Sequence, residues 1–241
     1  MKIIDAVWEK RNLGVDAMEF ELAATDPVEE SIRTIISKEK QYNVVKAPVG
    51  NIELNRALSE NGYIYAEVMF HIVNDLRRRS VHPLHQRLCD EIHYDEMDDS
   101  DLEELFHELE KGFFRTDRIA LDPKFSIEIA NKRYANWIKD DMLCGSRVFK
   151  EIYHDETINF FICKKISDHV FSPFLGGTYE KYIKTGFGIP CMLKSVEICQ
   201  SLGATQLISN VSSNNYMALK GNLMVGYQIN GVQNVFVKHN D

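Results

Sequence analysis

The residues best suited to chemistry by type and spacing are Lys184-Thr185-Gly186-Phe187-Gly188. Two glycines at i and i+2 let a backbone turn sharply and leave its N–H groups uncovered. Pro190 follows in the first turn of a strongly helical stretch, where its missing N–H costs nothing. A helix start adds free N–H donors and the positive end of the helix dipole, so loop and helix together suit an anion such as a pyrophosphate. Taken alone, the glycine pair reads more readily as a plain tight turn. Cys191 stands where the third glycine of a dinucleotide fingerprint would fall, and no Gly-Lys-Ser/Thr follows, so neither GxGxxG nor a Walker loop is present.

Other reactive residue types are less suggestive. His85, Cys89 and His93 fall at i, i+4 and i+8, but no fourth soft ligand accompanies them, and no metal is expected. The five cysteines form no CxxC pair, which argues for buried, inert thiols and a reducing, cytoplasmic setting. No G-x-S-x-G elbow or Ser/His/Asp order is visible.

The elements that must position the glycine loop follow from periodicity. Ala17 to Leu22 alternates like a strand, Asp26-Pro27 opens a helix, and Tyr42 to Ala47 is a second strand. Asn51 caps a short helix that stops at Asn61-Gly62, and Tyr63 to Val73 is a long third strand. Arg77-Arg78-Arg79 and the acidic cluster from Asp90 to Glu104 read as a connector or a helix's first turn. Leu102–Leu109 and Ser126–Ile138 look helical. Strands over Phe149–Tyr153, Asn159–Lys165 and Val170–Tyr179 come next. A helix over Gly188–Leu202, a strand over Thr205–Val211, a helix over Asn215–Met224 and a strand over Tyr227–Lys238 complete the chain. This order describes an α/β domain with a mixed sheet, and no repeat or low-complexity segment is visible.

Composition bounds the rest. The 241 residues are 44% hydrophobic and 27% charged, long enough to bury about 70% of the extended chain's surface without a staple. A net charge of -8 disfavours a nucleic-acid binder working through a broad basic field. No run reaches the roughly 18 apolar residues of a membrane span, and the amino terminus lacks a signal-peptide core.

From Gly176 onward the sequence reads Gly-Gly-Thr-Tyr-Glu-Lys-Tyr-Ile-Lys-Thr-Gly-Phe-Gly, then a helix ending at Leu202-Gly203. TQLISNVSSNN and YMALKGNLMVGYQINGVQNVFVKH follow. This order resembles the GNAT family of acyl-CoA N-acyltransferases, in which a glycine loop holding pyrophosphate opens a helix. Gly186 and Gly188 match that loop, Val211 with Asn214 or Asn215 the end of the next strand, Ala218 the following helix, and Gly226-Tyr227 the start of the last strand. Stretches around Trp8, Gly14 and Gly62 extend the resemblance to two-domain TDP-fucosamine-type sugar-amine acetyltransferases.

The resemblance implies a GNAT-like mixed sheet flanked by helices over residues 101–241. A smaller truncated GNAT-like unit over 1–75 and a connector over 76–100 would precede it. It implies acetyl-CoA as cosubstrate, held by Lys184, Thr185, Gly186, Phe187, Gly188 and Asn214. The acceptor would be a small-molecule primary amine such as a nucleotide-linked amino sugar, with neither nucleic acid nor membrane as partner and a homodimer left open. Asn222 stands where the family often has the tyrosine that protonates the departing thiolate, and Ile183 stands where a Gln or Arg is usual. Lys181 or Lys184 could replace that lost donor, and Glu180 is the nearest loop carboxylate to serve as base. Gly176-Gly177 suits a bulge that frees N–H groups for the acetyl carbonyl. Arg118, Asp122 and Trp137 fall in the segment that lies near the acceptor in the related enzymes. A degenerate, non-catalytic CoA-binding protein is the alternative.

Overall fold

The computed structural model describes residues 1–78 and 82–240, so Arg79 of the arginine run lies outside the described residues. The chain opens with β1 (Lys2–Asp5), α1 (Trp8–Leu13), β2 (Ala17–Glu21), α2 (Val28–Ser37), β3 (Tyr42–Pro48), α3 (Ile52–Glu60) and β4 (Ile64–Asp75). Next come α4 (Pro83–Asp90), β5 (His93–Glu96), α5 (Asp99–Glu110) and α6 (Ile127–Leu143). The remainder is β6 (Arg147–Tyr153), β7 (Glu156–Lys165), β8 (Val170–Thr178), α7 (Gly188–Ser201), β9 (Gln206–Ser212), α8 (Tyr216–Met224) and β10 (Gln228–His239). Among the described residues no helix is long and apolar enough to cross a membrane.

Local chemistry explains the boundaries. Asn51 and Asn215 cap α3 and α8, their Oδ1 atoms accepting from the amides of Leu54 (3.0 Å) and Ala218 (3.2 Å). The acidic cluster resolves into a reciprocal cap: Asp98 Oδ1 accepts from the Asp101 amide and Asp101 Oδ2 from the Asp98 amide, starting α5. The rest of the expected connector is also built, as α4 and β5.

One ten-stranded sheet runs β1-β2-β3-β10-β4-β9-β8-β7-β6-β5. Two strand pairs are parallel, β2 with β3 and β8 with β9; the others are antiparallel. The order β2-α2-β3-α3-β4 therefore recurs as β8-α7-β9-α8-β10. The last strands are exchanged: β10 lies between β3 and β4, and β4 lies between β10 and β9. Gly62-Tyr63 and Gly226-Tyr227 enter these two strands alike, with φ of 81° and 105° at the glycines and both tyrosines buried. The repeat is one of topology, which is why the sequence did not display it. Few positions beyond the capping asparagines and the Gly-Tyr pairs are shared.

The sheet from β4 through β9, β8 and β7 to β6 carries different partners on its two faces. Ile72, Leu207 and Val211 pack under α7 with Leu193, Val196 and Cys199. On the other face Leu105, Ala135 and Ile138 of α5 and α6 cover Val148, Phe160 and Ile162. Gly221 sits where α8 meets α7, since an added Cβ would stand 2.5 Å from Met192 Sδ.

Candidate functional site

The parallel pair β8–β9 is joined only at Val170↔Gln206 and Phe171↔Leu207. Beyond that level the two strands part, and Ser209 Oγ reaches the Pro173 carbonyl at 3.4 Å. At the same level β8 slips against β7: Leu175 lies opposite Ile162 and Pro173 opposite Cys163, leaving Phe174 as the extra residue. A bulged residue leaves the ladder and re-aims the backbone around it. The bulge thus lies at Phe174, not at Gly176-Gly177. Those glycines are in regular register with Phe161 and Phe160, and close packing explains them. A Cβ on Gly176 would stand 2.7 Å from the Phe160 carbonyl, and one on Gly177 would stand 2.4 Å from the Phe113 ring.

The parallel pair opens toward its carboxyl-terminal end, where the 184–188 loop leaves β8 and the turn carrying Asn214 leaves β9. Gly186 has φ 97°, a left-handed conformation that requires glycine, and Lys184 adopts φ 67°. Gly188 has no such constraint and begins α7; its Cβ, like that of Gly186, would meet nothing within 4 Å. The glycine pair therefore leaves an open patch of backbone beside a helix start. Phe187 anchors the loop, its ring 4.7 Å from that of Tyr153. Thr185 Oγ1 donates to the Tyr182 carbonyl at 2.5 Å. Lys184 is exposed, whereas Lys181 is engaged by Glu156. Ile183 is exposed and Glu180 lies on the outer turn before the loop. The Asn214 amide donates to Ser212 Oγ at 3.1 Å.

Asn222 is half-buried on α8, and its Nδ2 donates to the Ala218 carbonyl at 2.8 Å, one turn back. Of the three residues expected near the acceptor, only Trp137 meets the bulge: its ring lies 5.1 Å from Phe174 and stacks on Tyr134 at 6.1 Å. Arg118 is drawn inside, 3.4 Å from the buried Glu67. Asp122 pairs with His239 at 2.8 Å, at the end of β10.

A cavity of about 240 Å³ lies where β8 and β9 separate, lined by His71, Val73, Ser172, Ile208, Ser209 and Asn210. Asn230, the residue by which β10 slips against β4, also lines it. Sequence reasoning missed these residues. Pro173 in mid-strand was the readable sign of a bulge, because proline cannot donate to a ladder. A larger depression of about 580 Å³ between α2 and α3 belongs to the amino-terminal half, away from the loop.

That half does not repeat the site's geometry. β2 and β3 stay paired over five positions, without a parting. The segment before α2 carries Asp26, whose carboxylate binds the amino-terminal ammonium at 2.8 Å and the Ala23 amide at 2.7 Å. The carboxylate thus occupies backbone and ammonium donors that an anion would otherwise use.

Beneath the loop's helix, Glu151 is fully buried. Ser195 Oγ donates to its carboxylate at 2.8 Å and Asn159 Nδ2 at 3.1 Å. Burial pushes this carboxyl up to about 8 despite those donors. Cys89, expected with His85 and His93 to share a helix face, donates to Glu197 at 3.3 Å from α4, while His93 lies on β5. Burial likewise raises its thiol to about 12.

No protein-family model and no curated protein matches the sequence. Solved structures share its fold. A functionally unknown conserved protein from Staphylococcus epidermidis is 12% identical with a TM-score of 0.63, the match covering 94% of this chain and 85% of that one. A GCN5-related N-acetyltransferase from Sphaerobacter thermophilus is 12% identical at TM-score 0.54, over 82% of this chain and 59% of that one. A tandem GNAT protein from the clavulanic acid biosynthesis pathway is 8% identical at TM-score 0.52, over 87% and 67%. The chain has the GNAT fold, a mixed sheet flanked by helices.

Proposed function

We propose that this protein is an N-acetyltransferase that moves acetyl from acetyl-CoA to a primary amine. The observation that carries the reading is the parting of β8 from β9 beyond Phe171 and Leu207, directly before the open backbone of Gly186–Gly188. The pyrophosphate would lie on the N–H groups at the start of α7, with Lys184 beside it. The thioester would run into the parting, its carbonyl oxygen taking hydrogen bonds from β8 backbone freed around Phe174. The amine nitrogen attacks the carbonyl carbon, a proton leaves the nitrogen, the C–S bond breaks, and the thiolate collects a proton. No covalent enzyme intermediate is needed.

The acceptor we favour is an amine carried on a hydroxyl-rich ring, an amino sugar. Ser172, Ser209, Asn210 and Asn230 offer neutral hydrogen-bonding groups along the cavity. Trp137, 38% exposed, offers a flat apolar face against Phe174 at the bulge. A TDP-linked amino sugar is the more specific form of this proposal.

A second reading, CoA binding without turnover, draws on Asn222, whose amide is committed to Ala218 and cannot protonate a thiolate. Thiol release from acetyl-CoA, measured with a panel of free and nucleotide-linked amino sugars, separates the two. Acceptor-dependent release supports transfer. Saturable acetyl-CoA binding with no release across the panel supports the second reading.

A further inference from the structure

We propose that His71 is the group that takes the proton from the attacking amine, an inference that rests on the acetyl-transfer reading. Among the described residues, His71 is the one titratable side chain lining the cavity where β8 and β9 part. It belongs to β4, the long strand that the amino-terminal half places beside β9 through the strand exchange.

Three neighbours hold the ring at rest. Nδ1 lies 2.6 Å from Asn210 Oδ1, directly across the β4–β9 ladder. Nε2 lies 2.9 Å from Gln233 Oε1 on β10. The ring rests over Gly231, where an added Cβ would stand 3.3 Å from Cδ2. The slip at Asn230 sits immediately beside Gly231, so ladder irregularity and cavity coincide at this histidine.

Both partners are amides, and that suits a group that changes charge. A neutral imidazole needs one acceptor and one donor facing it; an imidazolium needs two acceptors. An amide side chain turned about its last bond exchanges oxygen for NH₂, so Asn210 and Gln233 can serve either state. A primary amine attacks only in its neutral form, and the imidazole of His71 is a basic group that lines this cavity. In the step, the Gln233 side chain turns away from Nε2, an ammonium N–H breaks and an N–H forms at Nε2. The freed electron pair forms the bond to the acetyl carbon, the C–S bond breaks, the second proton shed by the nitrogen passes to the departing thiolate, and the imidazolium later gives its proton to solvent.

The charges facing the ring are few. On the same face of β4, Glu67 is held by Arg118 and Ser212, and Asp75 is paired with Arg77. Beside His71, β9 presents Ile208, Asn210 and Ser212, β10 presents Gly231 and Gln233, and β8 presents Ser172.

The test compares wild type with His71→Gln in two measurements. In the first, acetyl-CoA is turned over with glucosamine as probe acceptor between pH 6 and 10. His71→Gln should lower kcat/KM about 10²–10⁴-fold near pH 7 while leaving acetyl-CoA affinity unchanged. The deficit should shrink on the alkaline side of the range, where the amine is already neutral. In the second, which needs no acceptor, the imidazole resonances are followed by NMR as CoA or acetyl-CoA is added. The His71 resonance should move more with acetyl-CoA than with CoA. A variant as fast as wild type across the range, or a His71 resonance unmoved when acetyl-CoA saturates the protein, overturns the inference but not the acetyl-transfer reading. Failure of the wild type to bind acetyl-CoA overturns both.

Discussion

The ring of Phe174, the residue extruded by the slip between β7 and β8, lies 5.1 Å from the ring of Trp137 on α6. The bulge and the aromatic face expected to carry the acceptor are thereby one structure. Trp137 also stacks on Tyr134 and lies under the Arg133 guanidinium at 5.9 Å, so its plane is fixed. Trp137→Ala should raise the KM for an amino-sugar acceptor up to about tenfold, the equivalent of the roughly 0.5–1.5 kcal/mol usual for a ring-face contact. The Kd for acetyl-CoA should not change. An unaltered KM would remove this face from the acceptor site.

Asn222 bears on catalytic speed. Ala218 and Asn222 are one helical turn apart and share a face. Asn222→Tyr should raise kcat by up to roughly 10²-fold, by supplying a phenol to protonate the departing thiolate. Overpacking beside Gly221 and Met192 should cost about 1–3 kcal/mol, read from a thermal melt. A folded variant slower than wild type would mean that the asparagine itself works in the site.

Glu151 gives a pH signature in stability. Its carboxyl titrates near 8 in the folded protein, against an ordinary value of 4.5. Between these values the folded state holds a proton that the unfolded chain has released. Stability therefore falls as pH rises through that window, by about 1.4 kcal/mol for each unit of displacement. Glu151→Gln keeps partners for Ser195 and Asn159 and should flatten that dependence in urea melts at pH 5 and pH 8. An unchanged slope would locate the titration elsewhere.

Much of this fold was legible in the sequence because its elements carry local signals. The alternation at Ala17–Glu21, the caps at Asn51 and Asn215, and the turn glycines before Tyr63 and Tyr227 mark their elements without help from tertiary contacts. α4 and β5 were not legible, since Pro83–Asp90 is short and largely polar, and His93–Glu96 is an edge strand of four residues paired with β6. Nor was the strand exchange, which depends on β10 crossing to lie between β3 and β4. Within the candidate site, Gly186 carries a conformational signature, and the structure gives it the positive φ that glycine permits. Gly176-Gly177 carried the same residue type for a different reason, room for Phe113 and the β7 backbone. His71 gave no signal of its own, for its importance comes from neighbours on β9 and β10 more than a hundred residues away.

The central claim, one acyl-CoA site at the start of α7, is tested most directly by calorimetric titration of acetyl-CoA into wild type and Gly188→Val. The valine Cβ would meet open space and the residue has no positive φ, so the variant should melt close to wild type. The amino-terminal half, with β2 and β3 closed and Asp26 before α2, should add no second site. The expected result is one acetyl-CoA per chain for wild type, and binding weakened at least tenfold in the folded variant. Absence of binding to wild type, or equal affinity in the two proteins, would contradict the claim.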